Sequence, residues 1–279
     1  MPESANAIVA GVDVGTECVK AVVITDEGRT LGRSVMPTRG YFEICAHEAV
    51  TAALDDAHRR RDELTGIGAT GFGMTCVRNA TVTISEAASH ARGAFHHRHH
   101  AMTLVNIGGG DPHVIQVDAA GRAVGARGVR RCAVGVGSFL MFSARHLDVN
   151  ATQLDELAAA AGSDAASVSS YCSVFSAAEV LERLREGATR EQVALGCIQS
   201  IAQRVLELGG FEDPVVISGG VAEYFPGVLH ALETLSGIRV ATVPEPIFTG
   251  ALGAALTALG EPRGAPVRHR VAESVGAPQ

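Results

Sequence analysis

The sequence predicts an α/β protein in which a β-meander occurs twice. An apolar segment ending in an Asp-x-Gly turn is followed by two strand-like segments, and the same order recurs further along the chain. A later strand-like segment, "PVVIS", runs through a Gly-Gly pair into a helix-like stretch. With 47% hydrophobic and 19% charged residues among 279, the chain has the composition of a soluble globular protein.

The first meander is predicted from "IVAGVDVG", "VKAVVIT" and "RTLGRSV", and the second from "TLVNIGGGD", "HVIQVD" and "AVGARGV". An ungapped alignment of the two segments pairs Asp13 with Asn106, Gly15 with Gly108, Gly28 with Gly121, Arg29 with Arg122 and Gly32 with Gly125. Several matches in one register over a short segment indicate a duplication.

The glycine turn that opens each meander is a candidate phosphate site. Backbone N–H groups at such a turn can bind phosphate oxygens, and glycine permits close approach. The acidic residues Asp13 and Asp111 could then hold Mg²⁺ or its water ligands. A single Asp-x-Gly is more often only a tight turn, but its repetition favours the phosphate interpretation.

Further along the chain, "PVVISGGVAEYFPGV" is predicted to be a strand, a glycine turn and a helix. Gly219 and Gly220 would let a flat base lie against the backbone, so this third turn is a candidate nucleoside site. The small residues of "FTGALGAALTAL" predict a closing helix that packs closely against a neighbour.

Two cysteines, Cys132 and Cys172, each precede a predicted helix start, and the second of these helices has an apolar stripe that includes Phe175 and Leu181. The helix dipole at each start favours the thiolate, which is the form that binds metal. Two thiols cannot complete a four-sulfur site, whereas two chains that contribute two each can. The alternative is that both are small buried hydrophobic residues, as Cys197 is predicted to be from its place on an apolar helix face.

Several classes of protein are disfavoured by the sequence. The net charge of −7 argues against a general nucleic-acid or anionic-membrane surface. The N-terminal residues do not have a signal-peptide pattern, and no apolar run is long enough to predict a membrane span, so we expect a cytoplasmic protein. The segment 96–100, "HHRHH", is interpreted as a solvated linker rather than a metal site.

Taken together, the motifs resemble the BadF/BadG/BcrA/BcrD ATPases, a family of 2-hydroxyacyl-CoA dehydratase activators and benzoyl-CoA reductase ATP-binding subunits. The resemblance runs from about residue 7 to residue 260 and follows the family order. The segments that carry it are "GVDVGTECVKAVV", "GATGFG", "SHARGA", "NIGGGDPHVIQVD", "RCAVGVGSFL", "SSYCSVFSAAEV", "SIAQRV", "SGGVAEY" and "GALGAAL".

The resemblance implies an actin/hexokinase/Hsp70-like ATPase fold, with two similar α/β domains and ATP in the cleft between them. We expect the first domain at residues 1–101, with a helix at 247–260 returning to it. The second domain is expected at residues 102–246, with the cluster cysteines, and a tail at 261–279.

The resemblance also implies a dimer around one [4Fe-4S] cluster, held by Cys132 and Cys172 of each subunit. The dimer could be a homodimer or a paralogous heterodimer. Its expected partners are a CoA-thioester reductase or dehydratase component and a ferredoxin-type electron donor. The predicted catalytic residues are Asp13, Asn106 and Asp111. The predicted residues that bind ATP or ADP with Mg²⁺ are Gly15, Thr16, Lys20, Gly108, Gly109, Gly110, Gly135, Gly137, Gly219, Gly220 and Glu223.

This sequence departs from the family pattern in two places. The usual second phosphate motif is Asp-Ile-Gly-Gly-Gln-Asp, where this chain has "NIGGGD", and Val136 replaces a threonine of the glycine loop. Asn106 cannot act as a general base and Gly110 has no side chain to orient water, so we expect ATP binding with slow hydrolysis. The alternatives are a small-metabolite kinase of the same fold and a non-hydrolysing regulatory subunit.

Overall fold

The computed structural model describes residues 7–128, 135–169, 173–260 and 268–270. Its strands are β1 Ile8–Val14, β2 Cys18–Thr25, β3 Thr30–Pro37, β4 Leu64–Thr70, β5 Val82–Ile84, β6 Met102–Asn106, β7 His113–Val117, β8 Ala123–Gly128, β9 Val215–Ser218, β10 Val240–Thr242 and β11 Arg268–Arg270. Its helices are α1 Phe42–Asp56, α2 Glu86–Arg98, α3 Val136–His146, α4 Ala151–Ala160, α5 Ser173–Arg185, α6 Arg190–Leu206, α7 Gly220–Tyr224, α8 Pro226–Ser236 and α9 Thr249–Leu259. The predicted α/β class is confirmed.

The chain forms two compact units. The first comprises residues 1–101, 116–125 and 248–279, and the second residues 102–115 and 126–247. Among the described residues, the strands form a six-stranded sheet in the order β11-β5-β4-β1-β2-β3 and a five-stranded sheet in the order β10-β9-β6-β7-β8. Strands β5-β4-β1-β2-β3 of the first sheet therefore have the same order as the whole second sheet.

In the first unit, β1 is a central strand and all seven of its residues are buried. Its residues alternate between two faces, as the pleat of a strand requires. Ala10 and Val12 belong to a core cluster with apolar residues of α1, whereas Val9 belongs to a cluster with Ala251 and Ala255 of α9. The sheet is therefore covered by α1 on one face and by α9 on the other.

Helix α9 lies very close to its neighbours because glycine occupies the contact points. A Cβ on Gly11 of β1 would lie 2.0 Å from the Ala251 carbonyl oxygen. A Cβ on Gly93 of α2 would lie 2.1 Å from the Thr249 carbonyl oxygen. The prediction of a closely packed small-residue helix is confirmed, and any side chain at either glycine would push α9 away.

The duplicated meander is confirmed down to its turns. Gly28 and Gly121 have φ of 83° and 75°, in the left-handed region that glycine tolerates. In the first turn the N–H of Gly28 donates to the Thr25 carbonyl, and in the second the N–H of Gly121 donates to the Asp118 carbonyl. Strand β1 pairs in parallel with β4, as β6 does with β9.

The second unit has a core built from β6, α3, α4 and α6. Phe139, Leu154, Ile198 and Cys197 are fully or almost fully buried within it. The core position predicted for Cys197 is confirmed. Burial raises the pKa of its thiol to about 12, so it is an inert core residue rather than a metal-binding thiolate.

One expectation about local structure was wrong, and one predicted helix has an exposed part. In "HHRHH", the first three residues are not a linker but the last turn of α2, and His99 ends the helix with φ of 56°. In α5, Phe175 and Leu181 of the predicted apolar stripe are 70% and 47% exposed, whereas Val180 is buried. Leu184 of the same stripe is partly buried against the core of the second unit, so only part of the stripe is exposed, and the helix predicted there is confirmed. No helix in the described part of the chain is long and apolar enough to cross a membrane.

Candidate functional site

In the first unit, three side chains form a row across neighbouring strands. Asp13 at the end of β1 is aligned with Lys20 of antiparallel β2 and with Thr70 of parallel β4. The Lys20 Nζ lies 2.9 Å from the Asp13 Oδ2, and the two side chains are only 12% and 7% exposed. A cation, a carboxylate and a hydroxyl are thus placed side by side at one end of the sheet.

The charge of Lys20 depends on Asp13. Burial acts to lower the pKa of Lys20, but the adjacent Asp13 carboxylate outweighs this effect and holds the pKa above its ordinary value. Lys20 is therefore a fixed cation. Burial also raises the pKa of the neighbouring Cys18 thiol, with Lys20 opposing it, so Cys18 stays protonated near neutral pH.

Two glycines allow the Asp13 carboxylate to lie against backbone. Gly71 has φ of 85°, and a Cβ there would lie 2.4 Å from Asp13 Oδ1. A Cβ on Gly250, in the first turn of α9, would lie 3.1 Å from Asp13 Oδ2. A side chain at Gly71 would displace the carboxylate, and one at Gly250 would first meet His90 Nε2 at 2.8 Å, so both glycines are part of the geometry of this site.

The turn after β1 is closed by its own hydrogen bonds. The N–H of Gly15 donates to the Cys18 carbonyl at 3.1 Å, and Thr38 Oγ1 donates to the Gly15 carbonyl at 2.9 Å. The Gly15 N–H is therefore engaged within the turn rather than turned outward. Thr16 is exposed at its tip.

The second unit repeats this arrangement with an amide in place of the acid. Asn106 at the end of β6 is aligned with Ser218 of β9. Gly219 has φ of 98°, and a Cβ there would lie 2.6 Å from Asn106 Oδ1 and 2.4 Å from the Ile107 carbonyl oxygen. Asn106 and Gly219 thus correspond to Asp13 and Gly71.

Two glycine loops of the second unit lie against each other at the start of α3. The N–H groups of Val136 and Ser138 donate to the carbonyls of Gly110 and Gly109 at 3.0 and 3.2 Å. A Cβ on Gly135 would lie 2.3 Å from the Gly109 carbonyl oxygen. The predicted loops at 108–110 and 135–137 are therefore one structural feature.

The same loop has open space on its other side. A Cβ on Gly108 or Gly110 would meet no atom of the described residues within 4 Å. Their backbone N–H groups also make no hydrogen bond within the part of the chain that the structure describes. Unused N–H groups at a glycine loop beside a helix N-terminus fit a bound phosphate.

Asp111, a predicted catalytic residue, is held by a cation. Arg204 Nη2 of α6 lies 3.3 Å from Asp111 Oδ1, and the two side chains are 10% and 8% exposed. An arginine at this distance satisfies part of the carboxylate and reduces its capacity to bind Mg²⁺. Asp13 is paired with Lys20 of β2 on one side. On the other side, toward β4, it is aligned with Thr70, and it lies on the face of the sheet that α9 covers.

The remaining predicted residues fall in three places. Gly219 is buried with its N–H bonded to the Pro246 carbonyl at 2.9 Å, whereas Gly220 begins the short helix α7 and Glu223 is exposed on it. Cys132 and Cys172 lie outside the described residues. Within those residues, no group of three or more histidine, cysteine or acidic side chains is arranged to hold a metal ion.

Five residues that were not predicted from the sequence complete the arrangement in the two units. They are Thr70 and Gly71, Ser218, Gly250 and Arg204. The signal for Thr70, Gly71 and Ser218 was present, because "ATGFG" and "ISGGV" each place a hydroxyl residue before a glycine after an apolar segment. The meander alignment did not extend to these segments, since the connections between them differ in length.

Two units with the same strand order, each with a glycine turn after its first strand, define an actin- and hexokinase-like ATPase fold. A ROK family glucokinase from Streptomyces griseus has this fold, with a TM-score of 0.56 and 16% identity over 90% of this chain and 99% of that one. At that identity the likeness concerns the fold alone.

The chain belongs to the BadF/BadG/BcrA/BcrD ATPase family, whose model matches residues 10–258. It is 34% identical to the activator of lactoyl-CoA dehydratase of Anaerotignum propionicum, over 89% of this chain and 96% of the relative. It is 28% identical to a benzoyl-CoA reductase subunit of Thauera aromatica, over 89% of this chain and 92% of the relative.

Two solved structures agree closely with this chain. Component A of the (R)-2-hydroxyglutaryl-CoA dehydratase of Acidaminococcus fermentans has a TM-score of 0.82 at 32% identity, covering 90% of this chain and 97% of that one. The activator of the 2-hydroxyisocaproyl-CoA dehydratase from Clostridium difficile, with bound ADPNP, has a TM-score of 0.83 at 28% identity, covering 90% and 94%.

Proposed function

We propose that this chain is an ATP-binding electron-transfer subunit or activator that couples ATP hydrolysis to low-potential electron delivery. Its acceptor is a CoA-thioester dehydratase or reductase component, and its donor is a ferredoxin-type protein of the cytoplasm. The observation that carries the proposal is the similarity to an activator of lactoyl-CoA dehydratase over 96% of its length and to a benzoyl-CoA reductase subunit over 92% of its length. Similarity over nearly a whole relative supports the same kind of partner.

The nucleotide part of the proposal is supported by both units. In the second, Gly108 and Gly110 leave open space beside backbone N–H groups that make no hydrogen bond to the described residues, which suits phosphate oxygens. In the first, Asp13 supplies a buried carboxylate that could hold Mg²⁺ through its water ligands. The related activator with bound ADPNP supports nucleotide binding here.

The redox part of the proposal assigns Cys132 and Cys172 of two subunits to one [4Fe-4S] cluster. When bound, such a cluster supplies one-electron transfer. Helix α5 begins at Ser173, directly after Cys172, so the positive end of the helix dipole favours the thiolate. Two thiols from each chain match the four ligands that such a cluster takes.

A dimer is supported by two exposed apolar residues of α5. Phe175 and Leu181 are 70% and 47% exposed on the helix that follows Cys172. An apolar helix face beside a shared ligand site is a suitable contact for a second subunit. Partnership with an identical chain or with a paralogue would use the same face.

Replacing either Cys132 or Cys172 with alanine is expected to abolish cluster binding. The wild-type protein, purified without oxygen, should contain four irons per dimer, because each chain supplies only half of the ligands. Iron analysis and the visible absorption spectrum measure this directly. Cys76→Ala removes a partly exposed thiol and Cys197→Ala a buried one, and both should retain iron. Full iron content in Cys132→Ala and Cys172→Ala would contradict the ligand assignment.

Phe175→Glu is expected to weaken the dimer. Loss of a large aromatic anchor and burial of a charge cost about 2 kcal/mol or more at an interface, which is roughly a 30-fold weaker association. Sedimentation velocity of the iron-loaded protein measures the shift toward monomer. Leu235→Glu is a matched control, because Leu235 is 51% exposed on α8. An equal loss of dimer in both variants would show that the α5 stripe has no special part.

A further inference from the structure

Thr70 carries a buried hydroxyl that the fold itself does not satisfy. Its side chain is fully buried, and Oγ1 makes no hydrogen bond within the described residues. A buried hydroxyl without a partner loses its hydrogen bonds to water and gains nothing in return. Valine has the same shape without that loss, so the hydroxyl of Thr70 has no purpose in packing alone.

The position of Thr70 indicates where a partner would come from. Thr70 is aligned with Asp13 across the parallel strands β4 and β1, and aligned residues of neighbouring strands project from the same face. Gly11 and Gly68, two residues before Asp13 and Thr70, both lie against α9. The hydroxyl therefore lies on the α9 face at the strand ends, beside the carboxylate.

The second unit has a hydroxyl at the corresponding place. Ser218 of β9 is aligned with Asn106, and a left-handed glycine follows it just as Gly71 follows Thr70. The duplication therefore preserves a hydroxyl beside the acid in one unit and beside the amide in the other. A role in packing peculiar to the first unit would not account for this recurrence.

We propose that Thr70 Oγ1 binds an oxygen of the magnesium–nucleotide complex beside Asp13. That oxygen belongs either to a phosphate group, which would accept a hydrogen bond from the hydroxyl, or to a water ligand of Mg²⁺, which would donate one to it. The inference rests on the proposed nucleotide function. Thr70 is then a further nucleotide-binding residue, and its hydroxyl has a hydrogen-bond partner only when the ligand is bound.

The test is the variant pair Thr70→Val and Thr70→Ser. Without nucleotide, Thr70→Val should melt roughly 2 to 4 °C higher than wild type, because an unsatisfied hydroxyl is removed. Its affinity for Mg²⁺·ADPNP, measured by calorimetry, should fall roughly tenfold or more, because a hydrogen bond to a charged ligand is lost. Thr70→Ser retains the hydroxyl and should bind within a few-fold of wild type.

A second arm in EDTA distinguishes the two ligand oxygens. A loss of affinity in Thr70→Val that persists for metal-free ADPNP assigns the contact to a phosphate oxygen, whereas a loss seen only with Mg²⁺ assigns it to a metal-bound water. Thr257→Val is the matched control: its buried Oγ1 donates to the Gly253 carbonyl at 2.7 Å, so it should be less stable and bind normally.

Two outcomes would overturn the inference, and they differ. If Thr70→Val melts higher and binds Mg²⁺·ADPNP as tightly as wild type, the hydroxyl has no ligand role, while the proposed function stands. If wild type itself binds no ADPNP with or without Mg²⁺, the proposed function and the role of Thr70 are both wrong.

Discussion

Asp13→Asn is expected to slow ATP hydrolysis by about two orders of magnitude or more and to destabilise the protein. The change keeps the shape of the side chain but removes its charge. An amide neither accepts a proton nor binds a hydrated Mg²⁺ as strongly as a carboxylate, and such assistance is worth roughly 10²–10⁴-fold in rate. Single-turnover hydrolysis of Mg²⁺·ATP measures this loss.

The loss of stability has a separate cause in Lys20. Its side chain is only 12% exposed, and its Nζ lies 2.9 Å from the carboxylate that would be removed. Breaking a buried ion pair from one side leaves the other charge without compensation, at a cost of about 3–5 kcal/mol. Urea denaturation should show this decrease in the free energy of unfolding.

The double variant Asp13→Asn/Lys20→Met separates the two effects. Removal of both charges should restore most of the free energy of unfolding, because a buried pair can be replaced by apolar residues at little cost. Hydrolysis should stay slow, because the carboxylate is still missing. Asp62→Asn, at a 61% exposed side chain paired with Arg60, is the control and should change neither quantity appreciably. A normal rate of ATP hydrolysis in Asp13→Asn would show that Asp13 takes no part in the reaction.

The duplication was predictable from the sequence because it depends on local chemistry. The turns at Gly28 and Gly121 need a left-handed residue, and the strands before them, β2 and β7, are rich in buried valine and isoleucine. Both signals are visible in a few consecutive residues. The same holds for α9, because its glycine and alanine residues predict close packing even when the neighbouring element is not known.

The residues around Asp13 in the first unit and around Asn106 in the second were predictable only in part. Asp13 and Asn106 stand in obvious motifs, but their contacts with Gly71 and Gly219 come from parallel strands far along the chain. Pairing of that kind depends on which strands become neighbours, and a single sequence does not specify it. The pairing of Asp111 with Arg204 was missed for the same reason.

The exposure of part of α5 and the error in "HHRHH" have other origins. A periodic apolar stripe predicts a helix face that is covered, but it does not identify the covering group. In α5 Phe175 and Leu181 are exposed within this chain, which is the pattern of a face that a second molecule covers. The histidines were predicted to be a linker because they are polar. They belong instead to a helix that begins at the Ser85 cap, where Ser85 Oγ accepts a hydrogen bond from the Ala88 N–H.

The two units use one scaffold with different electrostatics. The first places a lysine, a carboxylate and a hydroxyl in one row, whereas the second has Asn106 in the place of the carboxylate and an arginine on Asp111. A neutral amide can hold a phosphate group but cannot take a proton from water. The second unit is therefore suited to binding nucleotide rather than to activating the attacking water.

The double variant Asn106→Asp/Gly110→Gln is accordingly expected to accelerate hydrolysis. If the second phosphate motif activates the attacking water, restoring an acid and an amide should raise single-turnover hydrolysis roughly 10²–10⁴-fold. The structure admits both changes. Asn and Asp have the same shape, and a Cβ at Gly110 meets no described atom within 4 Å. Asn106 is only 3% exposed, so burial should raise the pKa of the new carboxyl toward the range of a general base.

This variant should be measured alone and with a paralogous partner subunit, because a partner could supply the missing group across the interface. Asn150→Asp is the control: it places the same change at the exposed N-cap of α4 and should leave the rate unaltered. The single variants Asn106→Asp and Gly110→Gln show which group matters more, and we expect the acid to give most of the gain. A wild-type homodimer that already hydrolyses ATP as fast as the double variant would show that these positions do not limit the chemistry, and a complete second motif in a paralogous subunit would then be unnecessary.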